Sequence, residues 1–283
     1  MASDGIVGGS AEGQAYETLL VRKEGAVDWV TMNRPQSLNA LNPILIAELS
    51  DYFGRLYTDH ETRVVVLRGA GKAFCAGLDL KARASEFPEH GRERNDPAEG
   101  LARQRSISEI VMRMRRCRQP IVALVHGAAC GGGFAFALAS DVRIAGESAR
   151  MNAAFIRLGV SACDIGVSYF LPRLVGVSIA SELMLTGRFI HADRALKVGL
   201  VSQVVPDGEL EAAARPLVEE MLNASPLGLR LTKECLNMSV DAGSLEAAIA
   251  MEDRNQILCV QSPDFQEGVQ AFLEKRKPVY RKA

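Results

Sequence analysis

Residues 121–146 constrain the fold more than any other part of this chain. The apolar run Ile121-Val122-Ala123-Leu124-Val125 enters His126-Gly127-Ala128-Ala129-Cys130-Gly131-Gly132-Gly133, and an apolar segment continues to Ser140. Unalternating apolar runs of this length suit strands buried on both faces. A glycine run opening straight onto an apolar segment suits a tight turn into a buried helix. A doubly buried strand that turns into a buried helix needs layered α/β packing, with helices covering a sheet. The stretch is not a membrane span, because His126, Gly127, Gly131 to Gly133 and Asp141 interrupt it.

The rest of the chain continues this pattern. Residues 16–32 read as two strands around a turn at Glu24-Gly25. Asn42-Pro43 opens a helix whose apolar face is Ile44, Leu45, Leu49, Tyr52, Phe53 and Leu56. Arg63 to Leu67 is a short buried-type strand, and the polar run 83–100 is read as a loop. A helix follows with Ile107, Ile110, Val111 and Met114 on one face and a basic end at Arg113, Arg115, Arg116 and Arg118. That basic end is read as a solvated helix C-terminus. Short strands are expected at 142–145 and 149–154. After Pro206 the segments 207–223, 226–240, 244–260 and 263–276 are all helical in pattern. The expected organisation is a short disordered leader at 1–15, an α/β body at 16–206 and a helical C-terminal region at 207–283.

Composition narrows the classes. There are 33 Lys+Arg against 34 Asp+Glu in 283 residues, so net charge gives no reason to expect nucleic acid or an anionic membrane as partner. Six cysteines without a CxxC pair or histidine at ligand spacing make a disulfide framework or metal site unexpected and suit a reducing cytosol. The N-terminus lacks the basic and apolar regions of a signal peptide, and the expectation is a soluble, cytoplasmic protein.

Two glycine-rich stretches follow buried-type strands: Ala73-Phe74-Cys75-Ala76-Gly77-Leu78-Asp79-Leu80-Lys81, and residues 126–133. Each is a turn that can leave backbone N–H groups unpaired. Two such groups facing each other make an oxyanion hole, and the second stretch adds a helix N-terminus. Ordinary tight turns are the bland alternative. Phosphate-loop and dinucleotide-fold readings lack their GxxxxGK[ST] and GxGxxG patterns.

Taken in order, Asn33-Arg34-Pro35, Leu38-Asn39-Ala40-Leu41, the 73–81 stretch, residues 126–145 and Leu183-Met184-Leu185-Thr186-Gly187-Arg188 resemble the crotonase family of enoyl-CoA hydratases and isomerases. The resemblance runs from about residue 16 to 280. It implies a crotonase-like spiral of ββα units with C-terminal helices that build a homotrimer or dimer of trimers. It implies an acyl-CoA thioester substrate, and no cofactor beyond the CoA moiety. By position, the backbone N–H groups of Leu78 and Gly132 would bind the thioester oxygen. Ala76, Leu80, Lys81, Phe272 and Lys275 match positions that meet CoA; a plain surface role is the alternative for both lysines.

The chain departs from classical hydratases at both catalytic glutamates. Their positions align with Ala135 and Phe155, which can neither activate water nor protonate carbon. Asp164, in Ser161-Ala162-Cys163-Asp164-Ile165-Gly166, resembles the working Asp of dienoyl-CoA isomerases and dihydroxynaphthoyl-CoA synthases of the family. It is read either as a lone acid or base or as a cap of the helix near Gly166. Cys163 is read as a small packing residue, His126 as a satisfied core histidine and Asp141 as structural. The first expectation is therefore an acyl-CoA enzyme favouring isomerisation or another enolate reaction. The second is a catalytically weak acyl-CoA-binding protein. A serine hydrolase using Ser161 or Ser168 lacks a paired histidine at motif spacing.

Overall fold

The computed structural model describes residues 16–81 and 96–280. The expected leader at 1–15 lies outside the described residues, as does the expected loop at 83–100 up to residue 95.

The hairpin forms as expected. β1 (Leu19–Glu24) pairs antiparallel with β2 (Val27–Met32) around Gly25 at φ 59°. Asn42 caps α1 (Pro43–Arg55) by accepting from the Leu45 N–H, and the helix buries Leu45, Leu49, Tyr52 and Phe53. Ile44, expected on that face, is exposed instead. β3 (Val64–Gly69) follows. α2 (Pro97–Arg116) starts inside the stretch read as loop, because Asp96 accepts from the Ala98 N–H and Pro97 takes the first helical position.

The body then repeats one circuit. β4 (Ile121–Val125), β5 (Ala128–Cys130) and α3 (Gly132–Ala139) are followed by β6 (Val142–Gly146), β7 (Arg150–Asn152) and the consecutive helices α4 (Val167–Val175) and α5 (Val177–Thr186). β8 (Ile190–His191), α6 (Ala192–Lys197) and β9 (Gln203–Val205) complete it. The larger sheet has the order β1-β2-β3-β4-β6-β9, and every pairing from β2 to β9 is parallel. The smaller sheet is β5-β7-β8, extended by a parallel bridge from Cys75 to Ala129. Each circuit lays one strand in each sheet and returns through helix, which is the expected spiral of ββα units.

Four helices close the chain: α7 (Leu210–Asn223), α8 (Pro226–Ser239), α9 (Leu245–Val260) and α10 (Pro263–Leu273). Strand residues alternate between two cores. Val64, Val66, Val122, Leu124 and Trp29 pack with Leu210, Ala214 and Val218 of α7. Val65, Leu67, Ile121, Ala123 and Val125 pack on the other face with Leu45, Phe53, Ile110, Met114, Phe134 and Phe136. Burial of Leu210 and Val218 stabilises the α7 contact by about 3–6 kcal/mol together. By contrast Leu236, Leu245, Ile257, Phe272 and Leu273, on α8 to α10, are exposed. Among the described residues no helix is long and apolar enough to cross a membrane.

Candidate active site

The site forms where two glycine turns meet beyond the C-terminal ends of β3 and β4. Asn39 organises the first. It is fully buried in the left-handed conformation at φ 55°, which asparagine tolerates better than most residues. Its Nδ2 donates to the carbonyls of Ala70 and Ala73, both at 2.8 Å, and its Oδ1 accepts from the Arg34 N–H at 2.9 Å. Arg34 in turn pairs with Asp79 at 3.0 Å, with both side chains largely buried. The Asn33 to Leu41 segment thus grips residues 69–79.

That grip orients Leu78. Leu41 donates its N–H to the Gly77 carbonyl at 2.7 Å and accepts from the Asp79 N–H at 3.0 Å. In a parallel bridge of this kind, the residue between the two partners turns its own N–H the other way. The Leu78 N–H has no hydrogen-bond partner among the described residues.

Gly132 supplies a second such group. It is the first residue of α3, its N-cap Gly131 (φ 49°) offers no side chain, and the first bond closing the helix runs from the Ala135 N–H to the Gly131 carbonyl. The Gly132 N–H is therefore one of the helix's orphan donors. Backbone contact brings the turns together. A Cβ on Gly77 would stand 2.8 Å from the Cys130 oxygen and 3.7 Å from the Gly132 nitrogen, and one on Gly133 would stand 2.1 Å from the Cys75 oxygen. Only glycines permit this approach.

The immediate neighbours of Gly131 and Gly132 are apolar, and the cavity beyond them mixes apolar with charged residues. A Cβ on Gly132 would meet Leu41 at 2.6 Å and Ile165 at 3.7 Å, and one on Gly131 would meet the Phe155 ring at 3.4 Å. A cavity of about 490 Å³ reaches Leu78 from between α1 and α2, lined by Leu41, Ile46, Ala47 and Ile107 with Arg103 among its polar groups. Ala135 is fully buried within α3.

Asp164 adjoins Ile165. Its Oδ1 accepts from the Ile165 N–H at 2.8 Å and from Gln104 of α2. Burial raises its carboxyl above the usual carboxylate range, against the lowering effect of those two donors. The side-chain capping alternative is corrected: Gly166 is the N-cap of α4 with no side-chain cap bond, and only the Asp164 main-chain carbonyl accepts from Val167. Ser161 accepts from the Cys163 N–H instead of capping α4, and Cys163, expected to be a buried small residue, is exposed. Burial raises the thiol of Cys75 to about 12, so it is no nucleophile.

The positions matched to CoA contacts divide into two groups. Ala76, Leu80 and Lys81 follow β3 beside Leu78, with Ala76 half-buried and the other two exposed. Phe272 (82% exposed) and Lys275 sit at the end of α10. That helix and the tail after it approach the opposite end of β3, where Asp264 and Tyr280 act on the charge of Arg63. No hydrogen bond or ion pair among the described residues joins Phe272 or Lys275 to residues 76–81.

Asp141 is structural as read from sequence, whereas His126, expected in the core, is only half-buried. His126 Nε2 lies 3.0 Å from the Gly71 carbonyl, and Asp141 accepts from the Ile121 N–H at 2.8 Å and pairs with Lys233 at 3.0 Å. Sequence reasoning missed Gln104, Arg143 and Lys233. Lys233 stands four residues after Leu229 on the inward face of α8, and that spacing was its only signal. Leu183 to Arg188 ends α5 at Gly187, whose carbonyl accepts from Asn152 Nδ2 at 2.8 Å; the Asn152 carbonyl in turn accepts from the Gly131 N–H. Among the described residues no group of three or more His, Cys, Asp or Glu could hold a metal ion.

Comparison with known proteins identifies the family. The enoyl-CoA hydratase/isomerase family model matches residues 22–283. A protein of Mycobacterium bovis named as a probable enoyl-CoA hydratase is 38% identical over 252 residues, covering 89% of this chain and 88% of the relative. The 1,2-epoxyphenylacetyl-CoA isomerase of Escherichia coli is 34% identical over 264 residues, covering 93% and 98%. The crystal structure of an enoyl-CoA hydratase from Bacillus anthracis superposes with a TM-score of 0.86 at 34% identity, covering 94% of this chain and all of that one. The chain belongs to the enoyl-CoA hydratase/isomerase family.

Proposed function

We propose that the protein processes acyl-CoA thioesters through an enolate, with the thioester oxygen held by the N–H groups of Leu78 and Gly132. The observation that carries this reading is the pair of unpartnered amides on touching backbone turns. Removing a proton beside a thioester carbonyl, or attacking the conjugated system, puts negative charge on that oxygen. Preorganised donors in an apolar site stabilise it, and one such donor contributes about 10²–10³-fold in rate.

Isomerisation or another enolate reaction fits better than hydration. Hydration needs one group to activate water and another to protonate carbon. Ala135 and Phe155 stand where classical hydratases of the family place glutamates. Asp164 is the proposed acid and base, held toward its neutral form by burial. The Mycobacterium bovis relative is named as a probable hydratase and the Escherichia coli relative as an isomerase, so family membership alone does not decide between the two reactions. Ala76, Leu80 and Lys81 would meet the CoA moiety, and the reaction needs no other cofactor. Phe272 and Lys275 would reach CoA in a neighbouring copy, since they lie away from their own chain's site. The exposed apolar side chains of α8 to α10 supply the surface for a trimer or dimer of trimers. The second reading, acyl-CoA binding with little turnover, draws on the same missing carboxylates.

Purified protein offered crotonyl-CoA, 3-enoyl-CoA and dienoyl-CoA thioesters tests both. Turnover of the unsaturated isomers, lost in Asp164→Ala, is expected. Fast hydration of crotonyl-CoA independent of Asp164 would refute the isomerase assignment. Thioester binding without turnover of any substrate would establish the second reading.

A further inference from the structure

We propose that Arg143 is the positioning residue of the oxyanion site, fixing the far end of α3 so that the Gly132 amide at its near end is held on the thioester oxygen. This rests on the oxyanion reading given above.

Helix α3 has no polar side chain, and all eight of its residues are buried. Its orientation relative to the substrate must therefore come from packing and from its two backbone ends. The near end has no side-chain cap. The far end is held by a guanidinium. Arg143, on β6 and 8% exposed, places Nη1 at 2.6 Å from the Ser140 carbonyl, 3.3 Å from Ala137 and 3.4 Å from Leu138. Its Nε donates to the Leu200 carbonyl at 2.8 Å, tying the fork to the turn after α6. Arg115 reaches the remaining Ala139 carbonyl at 3.4 Å.

A buried guanidinium is costly unless its donors are satisfied and its charge is balanced. Among the described residues no carboxylate hydrogen-bonds Arg143. The Asp141 carboxylate is engaged by Arg115, Lys233 and the Ile121 N–H, and the contact from Asp141 to Arg143 is through the main-chain carbonyl. The Asp141 carboxylate balances part of the Arg143 charge through space, and the negative pole of α3 is the counter-charge that Arg143 touches directly. Eight residues of helix span about 12 Å. A unit cation at that distance in a medium of effective dielectric about 20 favours an oxyanion at the other pole by about tenfold. A fork that fixes the helix axis adds to this by keeping the Gly132 donor in line.

The test uses the full chain with Arg143→Gln and Arg143→Lys, each checked for native circular dichroism and thermal unfolding. The probe is 4-dimethylaminocinnamoyl-CoA, a push–pull thioester whose absorption moves to longer wavelength as its carbonyl is polarised. The parent is expected to bind the probe and shift it. Arg143→Gln is expected to bind with a smaller shift, and to lose about tenfold in kcat with KM changed by less than about threefold. Arg143→Lys keeps the charge without the fork and is expected to fall between them; it carries the test if the Gln variant does not fold. A purely structural arginine would leave folded variants with the parent's shift and kcat, and that result would overturn the proposal. A parent that neither binds nor shifts the probe would overturn the acyl-CoA reading instead, and this inference with it.

Discussion

Gly133→Ala tests the contact on which the whole site depends. The new methyl would lie 2.1 Å from the Cys75 carbonyl oxygen and 2.7 Å from the Cys75 Cβ. Both belong to a strand segment that cannot swing aside, so the turns must separate by roughly 1 Å to reach van der Waals distance. That opening stretches the bond from the Cys130 N–H to the Cys75 carbonyl, now 3.0 Å, beyond useful length. Overpacking costs about 1–3 kcal/mol. A buried carbonyl left unsatisfied costs about 1–3 kcal/mol more. Alanine in place of glycine in a helix returns up to about 1 kcal/mol. The net expectation is a loss of about 3 kcal/mol within a range of about 1–5. Because Leu78 and Gly132 stand on opposite sides of the contact, the same displacement is expected to lower kcat/KM by about 10²-fold. Gly132→Ala is the control: its methyl would meet the Leu41 Cδ1 at 2.6 Å, the end of a side chain that can change rotamer. It is expected to cost less than about 1 kcal/mol. Urea denaturation with an unchanged slope measures the stabilities, and thioester turnover measures activity. A Gly133→Ala protein within about 0.5 kcal/mol of the parent, or a Gly132→Ala protein equally damaged, would refute the backbone-contact argument.

Further outcomes follow from individual side chains. Asp164→Asn keeps an acceptor for Ile165 and Gln104 but cannot ionise. The parent carboxyl is raised in the fold, so its stabilising contribution is complete below the unfolded value and is lost as pH rises through the folded one. The variant should therefore unfold at a higher temperature than the parent at pH 7, with the difference shrinking below about pH 4; a gap independent of pH would exclude this linkage. Lys233→Met removes donors to the Met114 and Gln119 carbonyls and leaves Asp141 short of a partner. A loss of about 3–5 kcal/mol is expected by denaturant titration, and a loss below about 1 would show that α8 is held by other contacts. Asn39→Ala forfeits three buried hydrogen bonds at a positive φ. It should cost about 2–4 kcal/mol and depress turnover as well, whereas full activity would separate the loop grip from the site.

The elements that sequence showed clearly are those whose ends carry their own chemistry. Asn42-Pro43 starts α1 because both the cap and the fixed φ are local properties, and Gly25 closes the hairpin for the same reason. α2 carried an equally local signal in Asp96-Pro97, but its first turns lack an apolar period and were read with the polar loop. β5 was hidden because three residues inside a glycine-rich run show no periodicity; its pairing with β7 is decided by tertiary contact. That Leu78 and Gly132 lie on glycine-rich turns is legible by motif, while the reason their amides are unpartnered is not. It depends on which side of Leu41 residue 78 falls, and on a helix cap that is glycine. Gln104, Arg143 and Lys233 were invisible because a polar residue in a helix or strand does not reveal which distant carbonyl or carboxylate it meets.

In the proposed reading, Ala135 and Phe155 at the two glutamate positions bear on how Asp164 would work. Ala135 is enclosed in α3, so a glutamate there would have to displace core packing as well as gain a charge. Phe155 lies against Gly131, which puts a ring beside the turn that offers the amide. Neither side chain carries a charge, and Phe155 places an apolar ring beside the turn that leads into Gly132. A single carboxylate can take a proton from one carbon and, as the carboxylic acid that burial favours, return it to another while the amides hold the charge between the two events. Hydration gains nothing from that arrangement, since it must also hold and ionise water. In the proposed reaction Asp164 is the one proton carrier and the amides of Leu78 and Gly132 are the two fixed donors.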